Sequence, residues 1–416
     1  MRSKRELWVL VLLLISAEGM RAQTNRLTGS PYSLFGLGVS TSSNMGKNNG
    51  LGRGGYALHG ANFINNYNPA SYGTETTNSF ILDVGFLGEL SSLENNFTQE
   101  ERFASNFSSL GFATSIDPKS TFGVSVTPLT DVGYSLIGIQ STIEGSFDQF
   151  TSNIFGTGAL NNFNLSYGRT LFKNLRLGGN VSYLFGSIEE TEVIQADLSG
   201  LTVQETSSYR GIRFGLGLQY DLYKKFSVGA SVNFPTTLSG TQDRIVDKTL
   251  DFTLSPVENE TNIELDSFDF PFEFNGGLVF NPWNNLFLNV DYSWKLWEST
   301  SQQDNVGDFV DQNVFSLGGE YFFDKNGLKY WQHIEMRAGF FHDSGYLTIA
   351  GERIETTGYT LGLGLPLGRR SKSMLNLSFS SNNRGNTGGI LVEERISSIN
   401  INLSLKDIWF IKRKIN

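Results

Sequence analysis

The chain has 416 residues, no cysteine and a formal net charge of −9 at pH 7. These features exclude thiol chemistry and Cys-based metal sites, and an acidic chain without a basic stripe argues against nucleic acid as a partner. Plentiful Phe, Tyr, Gly, Asn, Ser and Thr, with few Ala, point to strands.

Arg2, Lys4 and Arg5 form a positive start, followed by an apolar run from Leu7 to Ala17 that is too short to cross a bilayer as a helix. Residues 1–22 are therefore predicted to be a signal peptide cut after Ala22, although Met20 at the −3 position is larger than ideal; the alternative is an N-terminal anchor. Later apolar stretches are interrupted by polar residues and glycines well short of ~18 residues, so no other spanning helix is predicted.

Residues 23–77 are rich in Gly and Asn and carry no sustained periodicity, whereas residues 78–411 read as one strand after another. In 286–296, Leu286, Leu288, Val290, Tyr292, Trp294 and Leu296 share one face, and Phe287, Asn289, Asp291, Ser293 and Lys295 share the other. The same two-residue period recurs at Leu175–Phe185, Phe214–Tyr220, Leu375–Phe379 and Ile399–Leu405. It places one face in an apolar medium and the other in a polar one. A soluble sandwich would also alternate, but these strands run to about ten residues or more, the length of a tilted membrane span. Short breaks such as Asp117–Ser120 and Pro282–Asn285 alternate with long polar segments at 91–107, 144–157, 243–266, 300–312, 343–355 and 383–395. Short turns on one side and long loops on the other are the pattern of outer-membrane barrels, with the short turns periplasmic. Counting this way gives fourteen strands, from 78–90 to 396–411. The predicted fold is all-β: a 14-stranded antiparallel transmembrane barrel over 78–416, with residues 23–77 as an N-terminal plug. Trp294, Trp297, Trp331 and Trp409 fall near strand ends, where girdle aromatics belong.

The third strand breaks the pattern. Phe122–Thr127 alternates cleanly, then Pro128, Asp131 and Gly133 intervene before alternation resumes at Tyr134. Proline cannot donate to a ladder, so the strand must bulge or kink there, and the bulge is either ordinary or a gap in the wall.

Few residues suggest chemistry. Gly50-Leu-Gly52-Arg-Gly54-Gly55 satisfies a dinucleotide pattern but has neither the preceding strand nor the following helix, so backbone turns in a narrow lumen explain it better. His342-Asp343 lacks a third ligand, and the acidic run Glu258, Glu260, Glu264, Asp266 and Asp269 lacks the spacing of a calcium loop. No Gly-x-Ser-x-Gly elbow is present, so no enzyme is expected. Arg176, Arg213, Asp291 and Lys295 fall on the lumen face, where they either pair structurally with neighbours and plug or line a route for an amphipathic ligand.

The stretch Gly50–Gly55, followed by Asn62–Ser71 with Asn68-Pro69-Ala70, resembles the N-terminal hatch of the FadL family of outer-membrane transporters of long-chain fatty acids and other hydrophobic molecules. Ile334–Phe340 and Tyr359–Leu365 also resemble late strands of that family. Ser30–Gly38 and Trp409–Lys414 are similar to a Bacteroidetes branch, some relatives of which serve as subunits of secretion or barrel-assembly machines. The resemblance implies fourteen strands, a hatch gated around Gly52, Gly54, Gly55, Asn68, Pro69 and Ala70, and a lateral exit at the kink of Pro128, Asp131 and Gly133. It implies a channel for passive uptake of hydrophobic or amphipathic molecules in the bacterial outer membrane, without a cofactor. The alternative is a non-transporting subunit of an outer-membrane machine. The expected partners are outer-membrane lipid, a hydrophobic small molecule and other outer-membrane proteins.

Overall fold

A computed structural model describes residues 29–408 except 42–44, 61, 74–77, 97, 143–148, 197–198, 251–252, 301, 303–306, 325, 369–370 and 390. The signal peptide expected at 1–22 and the tail beginning at Trp409 lie outside the described residues.

Fourteen strands form the wall: β1 Ser79–Glu94, β2 Gln99–Asp117, β3 Ser120–Thr142, β4 Gln149–Phe172, β5 Leu175–Ala196 and β6 Ser199–Tyr223. Two strands follow in two pieces each, β7 as Phe226–Asn233 and Thr236–Leu250, and β8 as Thr253–Phe270 and Glu273–Trp283. The circuit is completed by β9 Leu286–Lys295, β10 Gln312–Phe322, β11 Glu335–Asp343, β12 Thr356–Pro366, β13 Met374–Arg384 and β14 Glu393–Ile408. Each strand pairs antiparallel with its sequence neighbour, and β14 returns to β1 along an unbroken register from Ser79↔Ile408 to Glu94↔Glu393. The sheet is therefore a closed barrel.

Its polarity is inside out. Along β9, Val290 and Tyr292 are 40% and 48% exposed on the outer face, while Asn289 and Asp291 are each 2% exposed within. The outer faces of β6, β12 and β14 repeat this with Ile212, Phe214 and Leu216, with Leu361 and Leu363, and with Ile399 and Ile401. An apolar belt around a polar interior is unstable in water and stable in a bilayer, so the barrel is of the outer-membrane type.

Several expectations about the upper rim are corrected. The segments 91–107 and 243–266, expected as polar loops, continue mainly as strand in β1, β2, β7 and β8. Charged and polar residues such as Glu100, Glu101, Arg244, Glu258 and Glu260 break up these upper strands, so the alternation that marks the membrane span is lost while the ladder carries on. The expected loops 300–312 and 343–355 instead contribute a small sheet of Gly307–Phe309, Leu347–Ile349 and Glu352–Arg353. Trp297, expected in the outer girdle, points inward: it opens the short 3-10 turn Trp297–Thr300 and is buried against Phe268, Phe270, Phe309 and Tyr346.

A second irregularity lies in the seventh and eighth strands. Phe234-Pro235 interrupts β7 opposite Pro271-Phe272 in β8, at the point where Asn233 pairs with Glu273 and Thr236 with Phe270. The Arg213 guanidinium from β6 crosses both breaks, donating to the Phe234 carbonyl at 3.1 Å and the Pro271 carbonyl at 2.6 Å.

The N-terminal residues pack inside the wall, and glycines make room for them. A Cβ on Gly178 would lie 2.3 Å from the Pro69 carbonyl, one on Gly229 2.3 Å from the Tyr56 oxygen, and one on Gly339 2.1 Å from the Gly52 nitrogen. Gly168, Gly217 and Gly318 meet Gly73, Asn68 and Leu51 in the same way. Paired across strands as Gly168↔Gly178, Gly178↔Gly217, Gly229↔Gly277 and Gly318↔Gly339, these residues form a belt on which plug backbone rests directly on wall backbone.

Candidate functional site: the plug and the seam in the wall

Two motifs fix the plug. Asn68 caps the 3-10 turn Pro69–Tyr72 by accepting from the Ala70 N–H, and its amide donates to the carbonyls of Tyr56, Leu218 and Ala230 at 2.8, 3.1 and 3.2 Å. One side chain thus ties two plug segments to β6 and β7. Pro69, with φ already set for the first position of the turn, and Ala70 are buried against Gly178. The glycine stretch turns through positive φ at Gly52 and Gly55, and between them Arg53 adopts φ 59°, uncommon for a residue with a Cβ. Gly54 passes so close to Asp291 that its Cβ would lie 2.4 Å from the carboxylate. The N–H groups of Gly55 and Tyr56 donate to Asp291 at 3.0 and 2.9 Å.

The third strand pairs with the second over only part of its length. β2 and β3 pair from Asp117↔Ser120 up to Leu110↔Val126 and no further. At the next residues the β3–β4 register slips, between Pro128 and Thr130. Above that point the β3 edge is taken by the plug: Val39 pairs with Asp131 and Ser40 with Thr130. Thr41 donates from its N–H to the Leu129 carbonyl at 2.9 Å and from its hydroxyl to the Pro128 carbonyl at 2.8 Å. The Gly133 N–H donates to the Ser33 hydroxyl at 3.0 Å. A cavity of about 140 Å³ adjoins this seam, lined by Thr41, Arg53, Glu89, Pro128, Asp131 and polar residues of β13 and β14.

Of the lumen charges, Arg213, Asp291 and Lys295 line one cavity, and Arg176 stands apart from it. Arg176 donates to both oxygens of Asp221, at 2.8 and 2.9 Å, and lies 3.1 Å from Nδ1 of the plug residue His59. Burial, and then the Arg176 guanidinium, hold the His59 imidazolium below its ordinary pKa. Arg213 pairs with Glu273 at 3.2 Å. Asp291 is bound by plug backbone as described, and together with Arg213 and Lys295 it lines a cavity of about 190 Å³ that also includes Tyr56, Tyr67 and Glu273. His342 and Asp343 diverge, Nδ1 of the histidine lying 2.9 Å from the Thr357 hydroxyl and the carboxylate accepting from Gln312. Above the seam Leu37, Leu160, Leu184, Leu238, Phe268 and Trp297 form an apolar cluster under the rim.

Sequence reasoning missed Val39–Thr41, Pro235, Pro271 and the Arg53 side chain. Both prolines were open to the same argument as Pro128. The Val39-Ser40-Thr41 run carried only a weak β-propensity, and its pairing with β3 is a tertiary event.

The chain matches a family model described as BamG over residues 4–416. No curated protein sequence matches it. Among solved structures it is similar to the CymD monoaromatic hydrocarbon channel, with TM-score 0.59 and 17% identity, covering 89% of this chain and 99% of that one. It is also similar to the Ralstonia pickettii toluene transporter TbuX, with TM-score 0.58, 15% identity and coverage of 88% and 98%. A Pseudomonas aeruginosa FadL homologue follows with TM-score 0.56, 14% identity and coverage of 89% and 98%. With the fold of these FadL-type barrels, a plugged lumen and a seam at its third strand, the chain belongs to the BamG family.

Proposed function

We propose that the chain is a bacterial outer-membrane channel for passive uptake of small hydrophobic or amphipathic molecules, gated by its plug and released sideways at the kinked third strand. The observation that carries this reading is the split between β2 and β3, where the β3 edge pairs instead with Val39 and Ser40 of the plug. A molecule gathered among Trp297, Phe309 and Tyr346 under the rim would reach the seam when that short ladder yields. The ladder is a handful of hydrogen bonds, each worth about 1 kcal/mol net, so ligand binding can offset its loss. The route needs no cofactor and no covalent step. Outer-membrane lipid receives the cargo, and a signal peptide cleaved near Ala22 accounts for export. The resemblance of Ser30–Gly38 supports placement in the Bacteroidetes branch.

The test uses the absence of native cysteine. In a Val39→Cys/Asp131→Cys chain, oxidation should fasten the plug to β3 and lower uptake of a fluorescent fatty acid, and reductant should restore it. Equal uptake in both states refutes the lateral route.

A second reading, a non-transporting subunit of an outer-membrane secretion or barrel-assembly machine, is favoured by the tight seating of the plug and by the long upper strands β3–β8. Gentle extraction with mass spectrometry separates the two. Co-purifying envelope proteins, with normal hydrophobic uptake in cells lacking the chain, support the machine subunit.

A further inference from the structure

The cavity beside the seam is polar where a hydrocarbon path would be apolar. Asp131 Oδ1 on β3, Asn382 Oδ1 on β13, Asn400 Oδ1 on β14 and Ser108 Oγ on β2 all belong to residues lining it. Each of these atoms is buried and has no hydrogen-bond partner among the described residues. Asn382 as a whole is only 3% exposed. A buried polar atom left unpaired costs about 1–3 kcal/mol, and natural folds hold few of them. Four around one small cavity, brought from four strands, mark a place prepared for something that donates hydrogen bonds. Glu89 of β1 lines the same space.

Arg53 supplies the complementary group. Its guanidinium carbon sits 4.0 Å from the centre of the Phe341 ring, and it makes no hydrogen bond or ion pair with a described residue. The plug therefore brings five N–H donors to a cavity whose wall holds these unpaired oxygens, beside an Arg384 guanidinium already paired with Glu394. A hydroxyl is both donor and acceptor, and neighbouring hydroxyls on a ring can satisfy the oxygens of Asp131, Asn382 and Asn400 while accepting from Arg53. Each simpler chemistry fails on one side. A hydrocarbon pairs with none of these atoms, a carboxylate cannot donate to the oxygens of Asp131, Asn382 and Asn400, and an ammonium cannot accept from Arg53. The volume of about 140 Å³ is on the scale of a single sugar ring.

We infer that this cavity binds a polyhydroxyl, sugar-type head group, with the alkyl tail of its carrier lying out through the seam into lipid. The position of the tail rests on the lateral-exit reading above, whereas the head-group site does not. The head group can come from a glycolipid or from a free sugar.

The experiment is equilibrium dialysis of the full chain in an amine-oxide detergent. The probes are octyl glucoside below its micellar concentration, glucose and octanol. Octyl glucoside should bind saturably and octanol should not. Asn382→Leu and, separately, Asp131→Ala should each weaken glucoside binding at least about tenfold. Folding of each variant is checked by heat-dependent mobility on gels, and Asn400→Leu replaces any that fails. Competition by glucose at equal concentration assigns the source to solution and keeps the head-group site, whereas a strong preference for octyl glucoside assigns a glycolipid. Saturable octanol binding equal to that of the glucoside, or folded variants that bind like the parent, overturns the inference. Dialysis reads binding and not passage, so absent glucoside binding defeats this inference whatever the uptake assays give, and failed uptake alone leaves it standing.

Discussion

Replacing Gly178 by Ala should unseat the plug, while the same change at Gly179 should not. The two residues are neighbours on β5, but Gly178 faces the lumen and Gly179 the lipid. A Cβ at Gly178 would come within 2.3 Å of the Pro69 carbonyl and 2.5 Å of the Ala70 nitrogen, where ordinary contact begins near 3.4 Å, so the plug backbone must retreat by about 1 Å. At Gly179 the nearest atoms are 3.6 Å away. Overpacking of this kind costs about 1–3 kcal/mol. Because neither glycine has a positive φ, Ala at Gly179 removes only unfolded-chain entropy and should stabilise by about 0.4–1 kcal/mol. A second pair repeats the comparison: a Cβ at Gly277 would meet Asp291 Oδ1 at 2.2 Å, and one at Gly276 nothing within 4 Å. Urea midpoints of the reconstituted barrel, with protease cleavage of the plug as a second readout, measure the differences. Equal midpoints and equal cleavage in Gly178→Ala and Gly179→Ala would refute direct seating of plug on wall.

Arg213→Ala should lower stability by about 3–5 kcal/mol, because it strips the buried Glu273 of its counter-charge and two broken strands of their donor. In urea titrations the double change Arg213→Met/Glu273→Leu should recover most of that loss, and a double variant as weak as the single one would count against the pairing. His59 gives a pH dependence. Its folded pKa lies below the unfolded value near 6.5, so its neutral form stabilises the docked plug above about pH 6.5, and that contribution is lost as pH falls. Protease release of the plug should therefore rise between about pH 7 and 5, and more steeply in the parent than in His59→Gln; parallel curves would sink the idea.

The membrane span was legible because alternation is a local signal with a physical cause. In β9 and β14, Asn289, Asp291, Asn402 and Ser404 turn inward as their spacing requires. Part of the upper strands was not legible, since residues such as Glu258–Glu264 are largely exposed and have no contrast to display. Pro128 announced a break in a ladder, but the two plug residues that fill the break do so through a register set only in three dimensions. Arg176 and Arg213 could be placed in the lumen from their position between outward apolar residues. Their partners Asp221 and Glu273 could not be named, because one is a diagonal neighbour on the adjacent strand and the other lies two strands away beside a double break. Arg53 was hidden inside a glycine motif that drew notice for its backbone alone.

The unequal strand lengths give the molecule a tall side and a short side. β6 has 25 residues, a contour of about 80 Å at about 3.3 Å per residue, and rises about 60 Å when tilted at about 40°. The 10 residues of β9 rise about 25 Å, the height of the apolar band itself. Around β5–β8 the wall thus stands about 35 Å clear of the bilayer as a continuous hydrogen-bonded screen, while at β9–β13 the rim is level with the membrane surface. Anything large that approaches from outside the cell meets a fixed windbreak on one flank and an open shore on the other. The direction of approach is set before any side chain is touched.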